Sequence, residues 1–418
     1  MKELRSIVQA YRSIDFSKTR AALATVVRVE GSSYRRAGAR MLVLDDGTYL
    51  GGISGGCLEG DALRRARKGI ALNRPSVITY DTTQDDDYQI GVGLGCNGII
   101  DVLFTPLYPE DPNNHLNILS NLTAIRQPAI VVAITGCPEK PPVSSEAAPT
   151  PAFPPAASVT DSLASAPLGQ ALLYTTDLAF FSSFSIKEIA PAVLRDIKNS
   201  LTERSSRTMT YDTVDGPVKV FIECILPTTH IAAFGGNHDI LTLLRQAKEQ
   251  GWDTTVVMNT AKAGKDITTT ATRVLDSSDS PLIDSRRTPP TVATSPQVNT
   301  PSVVPLIDSY TAILLMSHDY KTDFHNLQQA LLTDAAYIGL LGPRKRAEKM
   351  LDALAAAGHP VSPSNRQRLY APAGLDIGAA TPEEIALSIL AEIRSHFAGR
   401  QGMSLRLREG TIYGNPTL

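Results

Sequence analysis

Residues 230–258 read HIAAFGGNHDILTLLRQAKEQGWDTTVVM, and this stretch decides the fold of the C-terminal half. The apolar run 230–235 predicts a strand that ends in a glycine turn. Residues 239–250 predict a helix with Gly251 at its C-cap, and 253–258 predict the next strand. The same rhythm continues downstream. Strand 311–316 (TAILLM) precedes a helix near 323–332, and strand 336–341 (AYIGLL) precedes a helix over 343–357. Pro343 stands in the first turn of that helix and Gly358 just past its end. The last helix opens at Thr381-Pro382-Glu383-Glu384, a capping box with proline at the first helical position. Strands alternating with helices of this length imply a parallel sheet covered on both faces, a Rossmann-like α/β domain.

Working back from there, the N-terminal half reads differently. Residues 1–20 predict a helix with Leu4, Ile7, Val8 and Tyr11 on one face. Strands follow at 21–29, 39–44 and 48–53, the last two joined by the hairpin turn Asp46-Gly47. A helix beginning near Cys57 and strands near 76–80 and 99–104 complete a mixed α+β domain over 1–107. Residues 108–229 read as a connecting region, 230–400 as the Rossmann-like domain and 401–418 as a tail. Two segments look inserted, 138–168 and 276–305. Both are rich in Pro, Ser and Thr and bury too little apolar surface to offset the entropy of ordering.

Composition narrows the function. Of 418 residues 43% are hydrophobic and 20% charged, a globular balance long enough for two or three domains. A net charge of −2 gives no general attraction to nucleic acid or anionic membrane. No stretch approaches the roughly 18 apolar residues of a membrane span, and the N-terminus has no signal-peptide core. Cys57, Cys96, Cys137 and Cys224 are too scattered for a disulfide framework and form no CxxC pair. The expected location is the cytoplasm.

Chemistry-bearing residues cluster in glycine-rich turns. In 51–61, GGISGGCLEGD, the amides of Gly55 and Gly56 ahead of a helix make an anion cradle, with Cys57 and Glu59 beside them. The same residues also suit a tight turn around a small buried cysteine. A second loop, 91–98 (GVGLGCNG), repeats the theme with Gly95 and Cys96, so that two thiols can face one pocket. Arg35, Arg36 and Arg40 in 32–40 (SSYRRAGAR) suit a phosphate or carboxylate, or a solvated face. In GGNHDI (235–240), Gly235 and Gly236 open the turn, but Asn237 and Ile240 stand where the dinucleotide fingerprint has its second and third glycines. Asn259 replaces the acidic residue expected at the end of the second strand. His318 and Asp319 follow a strand at its carboxyl end, where open α/β sheets bind ligands, and His238 sits at the glycine turn; each equally suits a structural or surface role. Asp376 lies in the loop 372–378 (PAGLDIG) ahead of the last helix.

Together these segments resemble the XdhC/CoxI family of molybdenum-hydroxylase accessory proteins. The resemblance runs through GSSYRRAGARMLVLDDG (31–47), GGISGGCLEGD and GVGLGCNGIIDVLFTPL (91–107). It continues through IAAFGGNHDI (231–240), LLMSHDY (314–320), YIGLLGPRKR (337–346) and APAGLDIGAATPEEIALSILAEI (371–393). It implies a maturation factor that binds molybdenum cofactor, supports its sulfuration and delivers it to a xanthine-dehydrogenase-type hydroxylase. Members are sometimes labelled xanthine dehydrogenase by association, yet this chain has no Fe–S cysteine run or flavin motif. On this reading Cys57 and Cys96 face the molybdenum across one cleft. Gly55, Gly56, Arg35, Arg36 and Arg40 take the phosphate, and Glu59 and Asp376 the pterin's amino group. Gly95, Gly235 and Gly236 line the site. NAD(P) is not expected to bind. The implied partners are the hydroxylase, a cysteine desulfurase and further copies of the chain. The competing reading is an NAD(P)-linked oxidoreductase built on the C-terminal domain. The two inserted segments and the Gly-Gly-Asn turn depart from the family pattern.

Overall fold

The computed structural model describes residues 2–83, 98–123, 125–138, 168–279 and 307–409. The chain forms two compact units, one of residues 3–226 and one carried by 227–418. Most of the second glycine loop, with Gly95 and Cys96, and most of both inserted segments lie outside the described residues.

The N-terminal unit opens with α1 (Lys2–Arg12), whose Leu4, Ile7, Val8 and Tyr11 are buried. The helix is shorter than the sequence predicts. An antiparallel sheet follows, built from β1 (Ala21–Gly31), β2 (Arg40–Leu44), β3 (Tyr49–Gly51), β4 (Ser76–Asp81) and β5 (Gly98–Leu107) in the order β3-β2-β1-β5-β4. Helix α2 (Glu59–Leu72) lies on one face of it. Alternation along each strand decides which side chains meet α2. Ala22, Ala24 and Val26 of β1 and Met41 and Val43 of β2 pack with Ala62, Ala66 and Ile70 of α2.

Residues 108–226, a connection on the sequence reading, carry a second antiparallel sheet. Its strands are β6 (Ala129–Gly136), β7 (Ala171–Tyr174), β8 (Arg207–Thr213) and β9 (Gly216–Ile225), in the order β7-β6-β9-β8. Helices α3 (His115–Leu122), α4 (Asp177–Ser183) and α5 (Ala190–Glu203) accompany it. Ile130, Val132 and Ile134 of β6 and Val220 and Ile222 of β9 pack against α4 and α5. Their neighbours in sequence, Val131, Ala133, Phe221 and Glu223, face the opposite way and meet Thr25, Val27 and Arg40 of the first sheet. The unit is thus layered helix, sheet, sheet, helix, the two sheets sharing one inner face.

The C-terminal unit is a six-stranded parallel sheet. Its strands are β10 (His230–Phe234), β11 (Asp253–Met258), β12 (Arg273–Asp276), β13 (Thr311–Leu315), β14 (Tyr337–Leu340) and β15 (Leu369–Tyr370). They run in the order β12-β11-β10-β13-β14-β15. Counted from β10 this is the 3-2-1-4-5-6 order of doubly wound dinucleotide-binding folds. Helices α6 (His238–Glu249), α7 (Lys265–Thr270) and α11 (Pro382–Phe397) cover one face. Helices α8 (Tyr320–Ala330) and α9 (Arg344–Ala356) cover the other, and the short α10 (Pro363–Arg368) leads into β15. The capping box of α11 is formed as the sequence predicts, Thr381 and Glu384 each bonding the other's backbone amide.

The inner face between the two N-terminal sheets holds a buried polar cluster among apolar side chains. Arg40 is 6% exposed, pairs with Glu223 and donates to the Gly38 carbonyl at 2.7 Å. His115 is buried beside them, its Nε2 3.1 Å from the Gly169 carbonyl oxygen. Burial pushes the His115 imidazole down to about 4, against the Gly169 hydrogen bond and with help from the Arg40 charge. The folded state therefore holds His115 neutral while the unfolded chain, near 6.5, takes up a proton. The stability this contributes is present above pH 6.5 and is lost as pH falls toward 4. The shift corresponds to on the order of 3 kcal/mol. Urea titrations of wild type and His115→Gln at about pH 7.5 and about pH 5 will show a wild-type loss that the variant lacks; equal pH slopes would refute the assignment.

Candidate functional site

The first glycine motif forms the loop that carries the chain from the edge strand β3 into α2. Gly52 donates to the Arg40 carbonyl at 2.9 Å as the loop begins. Glu59, in the first turn of α2, then holds the loop from inside. Its Oε1 accepts the Ile53 and Ser54 amides at 3.1 and 2.8 Å, and its Oε2 accepts the Ser54 hydroxyl. The Ser54 Oγ accepts in turn from the amides of Gly56 and Leu58, at 3.2 and 3.0 Å. Burial raises the Glu59 pKa, but the Ser54 and Ile53 hydrogen bonds outweigh it and keep the carboxyl below its usual range.

With its inner side so occupied, the loop turns its outer side to solvent. Gly55 and Gly56 are exposed and Cys57 is half-exposed, its thiol 3.4 Å from the Ser54 hydroxyl. Gly56 has φ +114°, a conformation that favours glycine. Gly55 is limited by space instead, since a Cβ there would lie 3.3–3.6 Å from three ring carbons of Tyr34. A Cβ at Gly98 would overlap the Ser32 carbonyl oxygen. The turn after β1 thus touches both the glycine loop, through Tyr34 and Gly55, and the start of β5, through Ser32 and Gly98.

Not every residue singled out in the sequence reaches that surface. Arg40 does not, because strand alternation points it to the face opposite α2, where Glu223 and Gly38 take its guanidinium. Its Nε has no partner among the described residues. Glu59 supports the loop from below and is 9% exposed, so it is not placed to receive a pterin amino group. Arg35 spans both oxygens of Glu3 at 2.6 Å, while Arg36 is exposed. Cys137 and Cys224 are half-buried against the core of the second sheet, and burial pushes both thiols up.

Gly235, Gly236 and Asp376 belong to the C-terminal unit. Gly235 has φ +139°, and a Cβ there would overlap the Met316 carbonyl. At Gly236 a Cβ would meet the Met258 thioether, with sulfur at 2.8 Å. These glycines therefore serve strand and side-chain packing, and Met258 occupies the space beside the turn. The Asn259 side chain caps the following turn by accepting the Ala261 amide at 3.0 Å. Asp376 is exposed. At the point where strand order reverses, between β10 and β13, His318 adopts φ +62° and its Nε2 lies 3.1 Å from Asp239 Oδ2. Ser317 on its N-terminal side is held by Asp323, which also pairs with Arg346 at 2.8 Å. Sequence reasoning singled out His318 but had no signal for its pairing with Asp239.

The glycine loop depends on a charged acceptor. Glu59→Gln keeps the size of the side chain but removes its charge and sets an NH2 donor against the Ser54 hydroxyl, which already accepts the Gly56 and Leu58 amides. Hydrogen bonds to charged groups are worth about 1.5–3 kcal/mol. The substitution is expected to cost about 2 kcal/mol in urea unfolding, and a loss below about 0.5 kcal/mol would remove Glu59 as the loop's anchor.

Known proteins carry the same two domains. The XdhC Rossmann domain family model matches residues 231–393, and the XdhC and CoxI family model matches residues 17–81. The chain is 27% identical to a probable xanthine dehydrogenase subunit of Bacillus subtilis (strain 168), over 89% of this chain and 92% of that one. It is 40% identical to the molybdenum cofactor insertion chaperone PaoD of Escherichia coli (strain K12) over 92 residues, 22% of this chain and 28% of that protein. Its fold is similar to the crystal structure of a xanthine dehydrogenase from Bacillus halodurans. The TM-score is 0.65 at 23% identity, covering 97% of this chain and 98% of that one. Both family models match in the order of the two units and together span more than half of the residues, so the chain belongs to the XdhC and CoxI family.

Proposed function

We propose that this protein is an accessory factor that binds molybdenum cofactor and passes it to a xanthine-dehydrogenase-type molybdenum hydroxylase, with no purine turnover of its own. Family membership and the molybdenum cofactor insertion chaperone among its relatives support the cofactor-handling part. One observation carries the location: the exposed Gly55 and Gly56 and the half-exposed Cys57, presented together by a loop braced from behind. The cargo has a phosphate tail, a pterin ring and a dithiolene-bound metal. Of the two glycine amides, that of Gly56 is taken by the Ser54 hydroxyl oxygen at 3.2 Å, so the Gly55 amide ahead of the helix suits the phosphate, with Arg36 and the Glu3-paired Arg35 as flanking cations. The Cys57 thiol suits the metal end, since soft thiolate ligands favour such centres.

A carrier must also release its cargo, which calls for moderate affinity. From the resemblance alone come two further expectations, a cysteine desulfurase as second partner and self-association. Among the described residues no helix is long and apolar enough to cross a membrane; a cytoplasmic site of action is part of the proposal.

The competing oxidoreductase reading draws on the strand order of the C-terminal unit. Against it stand Met258 beside Gly236 and the capping role of Asn259, which leave the adenosine ribose without its usual carboxylate. Titration with NADH and NADPH is expected to show no micromolar binding; such binding would restore that reading.

The direct test is to purify the chain with added molybdenum cofactor and to measure retained molybdenum and pterin. Wild type is expected to retain both, and Cys57→Ser to lose most of the molybdenum. In cells lacking the protein, the hydroxylase is expected to assemble without active cofactor. Xanthine oxidation by the isolated chain, or a fully active hydroxylase made in its absence, would overturn the proposal.

A further inference from the structure

Tyr34 is 66% exposed, yet it does not project freely from the turn between β1 and β2. Its ring covers Gly55, whose missing Cβ leaves room for it: Cγ, Cδ1 and Cδ2 would stand at 3.3, 3.4 and 3.6 Å from that atom. Contact distances this nearly equal place the first carbons of the ring over the glycine, so one face of the ring rests on the loop. An aromatic side chain supported on one face and open on the other loses little further rotamer freedom when something planar stacks on it. The ring covers Gly55, two residues before Cys57 along the loop.

We propose that Tyr34 is the stacking platform for the planar heterocycle of the cargo, setting the distance between ring and phosphate when the Gly55 end of the loop holds the phosphate. This rests on the cofactor-carrier reading and adds to it a residue that recognises the pterin portion. The stack also suits a glycine at position 55, since a Cβ there would meet the ring carbons at 3.3–3.6 Å and crowd its seat on the loop. With Glu59 spent on the loop's inner hydrogen bonds, ring recognition at this surface comes from the π-face rather than from that carboxylate.

The test uses the full-length protein and neopterin, a fluorescent pterin without metal or dithiolene, alongside retention of molybdenum cofactor. Tyr34→Phe keeps a flat ring, whereas Tyr34→Leu keeps apolar bulk without one and Tyr34→Ala removes both. Saturable quenching of neopterin is expected for wild type and Tyr34→Phe. Binding is expected to be weaker by about tenfold for Tyr34→Leu and Tyr34→Ala, within the range measured for base–aromatic stacking. Equal thermal midpoints in the four proteins will show that folding is unchanged at this exposed position. Wild-type affinity in Tyr34→Leu and Tyr34→Ala would overturn the stack. So would retention of molybdenum cofactor by wild type without neopterin binding, and in both cases the carrier reading would stand. Failure of wild type to retain the cofactor at all would overturn the carrier reading and this inference with it.

Discussion

The carboxylate of Glu59 is the constraint on which the candidate site rests. A seven-residue loop with three glycines has high conformational entropy, and without an internal anchor it would not present its amides in one arrangement. One buried acceptor on the first turn of α2 removes that freedom by gathering two amides and a hydroxyl. The negative charge also lies at the positive end of the helix, where it is favoured. The hydroxyl it holds then orders the second half of the loop through Gly56 and Leu58. The loop is therefore fixed on its inner side and open on its outer side. That is the arrangement expected of a surface that receives cargo without reshaping itself.

Strand alternation explains why residues adjacent in sequence have different fates. Arg35, Arg36 and Arg40 look like one cluster in the sequence, but only the first two stay near the outer surface. Met41 points to α2, so Arg40 must point to the second sheet, where Glu223 waits. A buried pair of this kind is weak evidence for net stability, because desolvation offsets much of the attraction. Removing one partner alone is a different matter, since it leaves the other charge buried. The pair lies between the two sheets, next to neutral His115.

The C-terminal unit was legible in the sequence because each of its signals was local: an apolar run, a glycine turn, an amphipathic helix, a capping box. The second N-terminal sheet was not. Its strands AIVVAITG and PVKVFIEC carry ordinary β signals. They are separated, however, by the Pro- and Ser-rich stretch, and strand pairing across such a distance leaves no local trace. The short β12 and β15 were missed because four and two residues are too few for a period to show. At the candidate site, the glycine loop and Cys57 could be named from spacing. The inward turn of Glu59, the burial of Arg40 and the ring of Tyr34 over Gly55 could not, because each depends on which face of a strand or helix a residue occupies.

The two units answer different physical demands. The parallel sheet has the strand order of a dinucleotide fold, with Met258 packed beside Gly236 and Asn259 capping the turn after β11. The N-terminal unit carries the braced loop with its exposed Gly55 and Gly56 and half-exposed Cys57. The central claim is that this loop receives the cargo. Hydrogen exchange on the full chain, with and without molybdenum cofactor, tests it most directly. The account predicts slowed exchange at the amides of residues 53–58 when cofactor is bound. Cofactor binding with unchanged exchange over 53–58, or with protection confined to 235–239, would contradict it.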